Sequence, residues 1–251
     1  MKIKIIAFST SFFFFTSLLS AQEKGVVIGI DFSPGISWIK PDNDNYSSEG
    51  SSFSYSYGID FDFYFKDNYA FSTGLQILNY KGEVSYPDLY SPTGNNNDWE
   101  QAISTANYSY MAFHLPAYLK LMSNPIGYNS FFAEFGFSFL FPLKATQTTS
   151  SLLESGNSVN QGSKNIMDDT NFASVNLLLG LGIEIPISGD TKFQVSFRYL
   201  NGISSLSNTP TFRTDENGKV IDSEITNEGK PTGDKRSYYL KNLSLNFKII
   251  F

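Results

Sequence analysis

The sequence predicts an all-β protein: an eight-stranded antiparallel up-and-down transmembrane β-barrel, preceded by a signal peptide. Three observations lead there. Apolar and polar residues alternate along eight stretches, the connections between them are alternately short and long, and one face of the stretches is almost free of charge. Successive side chains of a strand point to opposite sides of a sheet, so the alternation assigns each residue to one of two environments.

The stretches are residues 26–38, 54–65, 69–80, 108–121, 131–141, 173–187, 192–201 and 239–251. Each meets the ~9 to 11 residues that a tilted crossing requires. The first sets Phe32 against Gly29 and Asp31, and the second sets Phe61, Phe63 and Phe65 against Gly58, Asp60 and Asp62. The third opposes Phe71 to Gly74, and the fourth opposes Phe113 to Lys120. In the fifth, Phe131, Phe135, Phe137, Phe139 and Phe141 share a face opposite Glu134 and Gly136. The sixth carries Gly180, Gly182 and Glu184 on its polar face, and the seventh opposes Phe193 and Phe197 to Lys192 and Arg198. The last is the most regular, with Leu243, Leu245, Phe247, Ile249 and Phe251 on one side and Asn242, Ser244, Asn246 and Lys248 on the other.

The connections at 66–68, 122–130 and 188–191 are short and hold turn residues such as Asp67, Asn68, Gly127, Gly189 and Asp190. Those at 39–53, 81–107, 142–172 and 202–238 are long and rich in Ser, Asn, Gly, Asp and Thr. In outer-membrane barrels short turns face the periplasm and long loops face outward, and an even strand count puts both mature termini on the periplasmic side. Ahead of the strands, Lys2 and Lys4 precede an apolar run over 5–19 that is interrupted by Ser and Thr and ends at Ser20-Ala21. That pattern is a secretory signal, expected to be removed after Ala21, with residues 22–251 forming the barrel domain. The run is too short for a spanning helix.

On the apolar face the one charged residue is Lys241, near the end of its strand. The opposite face carries Asp31, Asp60, Asp62, Lys120, Glu134, Glu184, Lys192, Arg198 and Lys248. A charge at mid-depth on a lipid face costs ~2 to 4 kcal/mol, which accounts for the asymmetry. A water-soluble barrel with its apolar face turned inward fails on volume, because an eight-stranded interior is just wide enough for its own side chains and does not hold fifteen phenylalanines. Trp38, Tyr55, Tyr57, Tyr69, Tyr108, Tyr110, Tyr199 and Tyr239 at strand ends fit an interfacial girdle. Closure follows, since an open edge in hydrocarbon leaves backbone groups unpaired.

Composition excludes several functions. The chain has no cysteine, which removes disulfide scaffolds and thiolate metal sites. Loss of residues 1–21 moves the formal charge from −6 to −8, which argues against a nucleic-acid partner. Inside the barrel, Arg198 is expected opposite Gly180 or Gly182 with Glu184 diagonal to it, in a lumenal network with Glu134 and Lys120 and with Asp60 and Asp62 from the other wall. Its expected role is to fill the barrel. His114 is the single histidine and has no serine or carboxylate at a catalytic spacing, so no catalytic residue and no enzymatic activity are expected. No cofactor or metal is expected. Asp42-Asn43-Asp44-Asn45 lacks the glycine and distal glutamate of a calcium loop and is better explained by Asx turns. Residues 211–221, centred on Asn217-Gly218, give a hairpin that extends the wall above the membrane. As further spanning strands they would carry Arg213, Asp215, Glu216, Lys219 and Asp222 to lipid depth. Tyr86, Tyr90 and Trp99 are loop aromatics for a partner or for a cluster of their own.

Three segments carry a family likeness. Phe113-His114-Leu115-Pro116-Ala117-Tyr118-Leu119-Lys120 resembles the Glu-Ile-Pro-Leu-Leu-Leu-Lys strand of the PorT-like outer-membrane β-barrels of the Bacteroidota, with His114 at the glutamate position. Arg198-Tyr199-Leu200-Asn201-Gly202-Ile203 is similar to that family's Arg-Tyr-x-x-Gly-Leu segment, and the strand ending in Phe251 to its terminal strand. The resemblance implies a monomer in the cell outer membrane. It implies contact with outer-membrane lipid, with barrel-assembly machinery through the C-terminal strand, and with an envelope protein or glycan at the long loops. A link to protein secretion is also implied. The function expected is a structural or interaction role in the cell envelope; the alternatives are a small transport pore and a lipid-modifying barrel enzyme.

Overall fold

The computed structural model describes residues 25–91, 99–207, 210–215, 219–221, 233 and 237–251. The signal segment and the 217–218 hairpin tip lie outside these residues. Among those described, ten strands occur: β1 (Val26–Pro41), β2 (Ser47–Ser48), β3 (Ser52–Lys66), β4 (Tyr69–Tyr90), β5 (Glu100–Met122), β6 (Ser130–Leu153), β7 (Ser158–Asn165), β8 (Ser174–Ser188), β9 (Thr191–Gly202) and β10 (Tyr238–Ile250). A single 3-10 turn spans Met167–Asp169.

Eight of the strands form a closed antiparallel barrel. Pairing runs β1-β3-β4-β5-β6-β8-β9-β10, and β10 returns to β1 through Gly29↔Ile250 to Pro41↔Tyr238. Backbone polar groups are therefore paired all round, as hydrocarbon demands. Three tight connections join barrel strands at one end. Gly127 and Gly189 stand there at φ of 67° and 57°, in the left-handed region that favours glycine.

The apolar face looks outward. Ile30 and Phe197 are 60% and 65% exposed, whereas Asp60, Asp62, Lys120 and Lys248 are 0% exposed within the barrel. Lys241, outward near the long-loop end of β10, donates to Asn201 Oδ1 on β9.

Three strands outrun their expected ends. β4 and β5 stay paired from Tyr69↔Leu121 up to Tyr90↔Glu100, and β5 and β6 up to Ala102↔Leu153. Residues 81–90 and 100–107, and much of 142–172, are therefore strand rather than loop. Beyond the membrane the ladder alone holds a strand, and no lipid face imposes apolar alternation. One bulge makes the extension possible: Met111 faces Lys144 but Ala112 faces Pro142, leaving Leu143 extra. Proline has no N–H for the ladder and is tolerated at such a bulge, which also reverses the strand's parity. Glu134, Gly136, Ser138 and Leu140 point inward before it, and Ala145, Thr149, Ser151 and Leu153 after it.

Tyr108 and Tyr110 do not belong to the girdle. Both are buried inside, on the same side of β5 as His114, Tyr118 and Lys120. Tyr80 and Tyr110 stack at 5.0 Å, Tyr108 meets Tyr238 edge-on at 5.5 Å, and Tyr46 meets Tyr86 in the same way at 5.5 Å. With Ile39, Leu206 and Leu240 these rings form an apolar core at the long-loop end. The loop aromatics pack on the protein itself: Tyr86 is in this core, and Trp99 sits on Leu89, Phe212 and Val220. Asn45 N–H donates to Asn43 Oδ1 at 2.9 Å, closing an Asx turn. The arms of the 211–221 hairpin pair through Thr214↔Val220, and Lys219 Nζ reaches Glu154 Oε1 at 2.8 Å. Glu154 holds that exposed ammonium above its ordinary range.

Candidate functional site

The charged side chains gather in the half of the lumen nearer the short turns, in two tiers. In the tier next to the turns, Asp62 lies between two ammonium groups, accepting from Lys120 Nζ at 2.8 Å and from Lys248 Nζ at 2.9 Å. Lys120 also donates to Gln194 Oε1 at 2.7 Å, and its ammonium lies 4.8 Å from the Phe132 ring centre. Gln194 Nε2 donates to Glu184 Oε2 at 2.6 Å, and Lys192, at the rim, donates to Glu184 Oε1 at 2.6 Å.

The tier above is centred on Arg198. Its Nε donates to Glu134 Oε2 at 2.6 Å and its Nη2 to Glu134 Oε1 at 3.0 Å, a two-point contact with one carboxylate. Nη2 also donates to the Tyr118 hydroxyl at 2.8 Å, and the guanidinium lies 5.2 Å from that ring's centre. Asp31 and Asp60 approach it at 3.5 and 3.9 Å. Lys248 reaches Asp60 at 3.4 Å and so ties the two tiers together. Asp31 is held in turn by Asn246 Nδ2, and by the Ser33 hydroxyl at 3.2 Å.

All six residues singled out from the sequence thus face the lumen, but their partnerships differ from those expected in one respect. Glu134, not Glu184, neutralises Arg198. The registers explain it: Gly180 stands opposite Arg198 on one side and opposite Glu134 on the other, whereas Glu184 stands opposite Gln194. Asp31 and Lys248 lay on the polar face in the sequence but outside the expected network. Tyr118 and Gln194 carry no formal charge and were missed. Parity reveals all four, since each shares a strand side with a residue already placed inside.

Buried ions in a medium of low polarisability need partners with good geometry. This network supplies them from seven barrel strands, tying the walls across the axis. His114 is buried above it, opposite Gln76 and Leu140, and neither ring nitrogen has a hydrogen-bond partner among the described residues. No nucleophile or carboxylate is hydrogen-bonded to it. No group of three or more potential metal ligands occurs among the described residues.

No curated protein matches the sequence. Among solved structures, the chain is similar to Neisserial surface protein A, with 10% identity over 91% of this chain and 100% of that one and a TM-score of 0.37. It is also similar to Ail, the attachment invasion locus protein of Yersinia pestis, with 11% identity, coverage of 91% and 100%, and a TM-score of 0.34. For the outer membrane protein OprG from Pseudomonas aeruginosa the identity is 11%, the coverage 93% and 99%, and the TM-score 0.39. A family model described as outer membrane protein beta-barrel domain matches residues 20–208, three quarters of the chain. This protein belongs to that family of outer-membrane β-barrels and resides in the outer membrane.

Proposed function

We propose that the protein is a non-enzymatic, monomeric component of the outer membrane whose barrel is a rigid, filled support and whose activity is the presentation of its extracellular end to another envelope protein or glycan. One observation supports this above others. The lumen is occupied along its length, by Lys120, Lys248, Arg198 and Tyr118 in one half and by Tyr80, Leu178, Leu240 and Tyr238 in the other. A pore needs a continuous polar path, and the stacked tyrosines interrupt it above while the ion pairs occupy it below.

The same reading gives the long strands a purpose. β4, β5 and β6 lift a sheet some ten residues beyond the barrel and cover it with the 3-10 turn and the 211–221 arms, a platform larger than closure alone requires. The 113–120 and 198–203 motifs ally the chain with the PorT-like barrels of the Bacteroidota, and on that basis the partner belongs to a protein-secretion assembly. The terminal strand is the segment offered to barrel-assembly machinery.

Two measurements test the proposal together. In a planar bilayer the purified barrel is expected to give no stepwise conductance, and steady channels would replace this reading with a transport pore. Cross-linking in the native membrane is expected to trap a partner with the full chain and to lose it when the platform above residues 80 and 108 is shortened. Equal trapping by both would remove the platform from the function.

A further inference from the structure

The outer wall of the barrel has a step. β3 begins at Ser52, paired with Ser37, while its neighbour β4 continues to Tyr90. Lys81 stands in the gap where β4 has left β3, last paired at Tyr55↔Asn79, and has not yet met β2, whose Ser48 pairs with Val84. The Ser37 hydroxyl donates to the Lys81 carbonyl at 2.7 Å and accepts from the Lys81 N–H at 3.0 Å, so the backbone exposed by the step is satisfied by a side chain from β1.

Below the step lies a groove of about 470 Å³ lined by Phe53, Tyr55, Asn79, Lys81, Asn107 and Ser109. It opens outward at the long-loop edge of the membrane band. Lys81 is exposed and makes no side-chain hydrogen bond or ion pair among the described residues. No carboxylate lines the groove. Phe53, 65% exposed, stacks on Tyr55 at 6.0 Å, and Tyr55 on Tyr57 at 6.5 Å. That rail of rings descends the outer face of β3 from the groove toward the hydrocarbon.

We propose that this groove holds one phosphorylated glycolipid of the outer leaflet, with its phosphate on Lys81, its sugar hydroxyls on Asn79, Asn107 and Ser109, and an acyl chain along Phe53, Tyr55 and Tyr57. Each part of the groove matches one part of such a molecule. An ammonium is a point-charge binder of phosphate. Amide and hydroxyl groups exchange hydrogen bonds with a sugar, and aromatic rings are at home where headgroup meets chain. A soluble phosphate would use the lysine and leave the rail bare. A neutral lipid would use the rail and leave the lysine uncompensated. The inference is independent of what the extracellular platform contacts.

The test uses the mature barrel in detergent, with native mass spectrometry counting retained lipid A. Bisphosphorylated lipid A is expected to stay bound, its dephosphorylated form to be lost, and excess inorganic phosphate to leave retention unchanged. Lys81→Gln and Tyr55→Ala should each lower retention by about tenfold, the loss of one charge-assisted contact or one buried ring. Lys66→Gln, an exposed lysine at the short-turn end of β3 and so at the opposite end of the barrel from the groove, should match the wild type. Lys81 is exposed, so its variant folds, which heat-dependent gel mobility verifies. Equal retention by the wild type and Lys81→Gln, or an equal loss in Lys66→Gln, would overturn the proposal. So would retention of the dephosphorylated lipid, and displacement by phosphate would reduce the site to an anion contact.

Discussion

Arg198 and Glu134 meet across Gly180. The three residues lie in one register row on β9, β6 and β8, and a Cβ added to the glycine would stand 2.5 Å from Glu134 Oε2. The missing side chain is what lets guanidinium and carboxylate close over the strand between them. Gly74 serves Asp60 in the same way, since a Cβ there would lie 2.2 Å from Asp60 Oδ1. Lumenal glycines and lumenal charges form one packing arrangement.

Breaking this pair is expected to destabilise the barrel. Arg198→Met leaves Glu134, Asp31 and Asp60 with less compensation, and loss of one partner of a buried pair costs about 3–5 kcal/mol. Arg198→Met combined with Glu134→Gln should cost clearly less than the two single changes added together. Urea unfolding in lipid vesicles, followed by tyrosine and tryptophan fluorescence, measures all three. Simple additivity would mean that the two residues act separately.

The glycines give a second expectation. At Gly136 a Cβ would meet Ala117 O at 2.3 Å and Tyr118 Cα at 2.4 Å, both backbone atoms that cannot step aside. Gly136→Ala should therefore lower stability by about 1–3 kcal/mol, the cost of overpacking. Gly162→Ala, with nothing within 4 Å, should change it little. The same unfolding assay compares them, and equal midpoints would show that the wall relaxes more readily than the packing implies.

Lipid exposure gives a third. Leu181 and Phe197 face each other on adjacent strands, 69% and 65% exposed near the middle of β9. Arginine at either position should cost about 2–4 kcal/mol, as for charge at the bilayer midplane. Arginine at Tyr128, in the short turn before β6, should cost far less, because there the side chain meets water. Refolding into vesicles reads both, and indifference at Phe197 would contradict a lipid-facing wall.

Where the strands meet lipid, the sequence was readable; where they leave it, it was not. Phe131 to Phe141 and Leu243 to Phe251 alternate because each residue faces either acyl chains or packed side chains. Above the membrane that constraint lapses. Lys81, Gly82, Pro87 and Asp88 then look like loop residues although β5 pairs with each of them. The reversal at Leu143 was equally hidden, since Pro142 signals either a strand end or a bulge and only the partner's register decides. Tyr108 and Tyr110 were misplaced for a different reason: aromatic rings near strand ends suit the interface and the lumen alike. Their parity with Lys120 held the answer. Of the ionic network, the membership of Arg198, Glu134, Glu184, Lys120, Asp60 and Asp62 followed from parity, but who pairs with whom depends on registers that no single strand encodes.

The account rests on the phenylalanine face meeting lipid while the charged face packs about the axis. The natural chain has no cysteine, so single cysteines at successive positions of β6 can carry nitroxide labels without background. Electron paramagnetic resonance in vesicles then reads collision with oxygen, which partitions into hydrocarbon, against a water-soluble nickel chelate. Labels at Phe135, Phe137 and Phe139 should collide with oxygen strongly, and those at Ser138 and Leu140 weakly with either reagent, giving a period of two. Strong oxygen collision at Ser138 and Leu140 with protection at the phenylalanines would turn the barrel inside out and contradict the account.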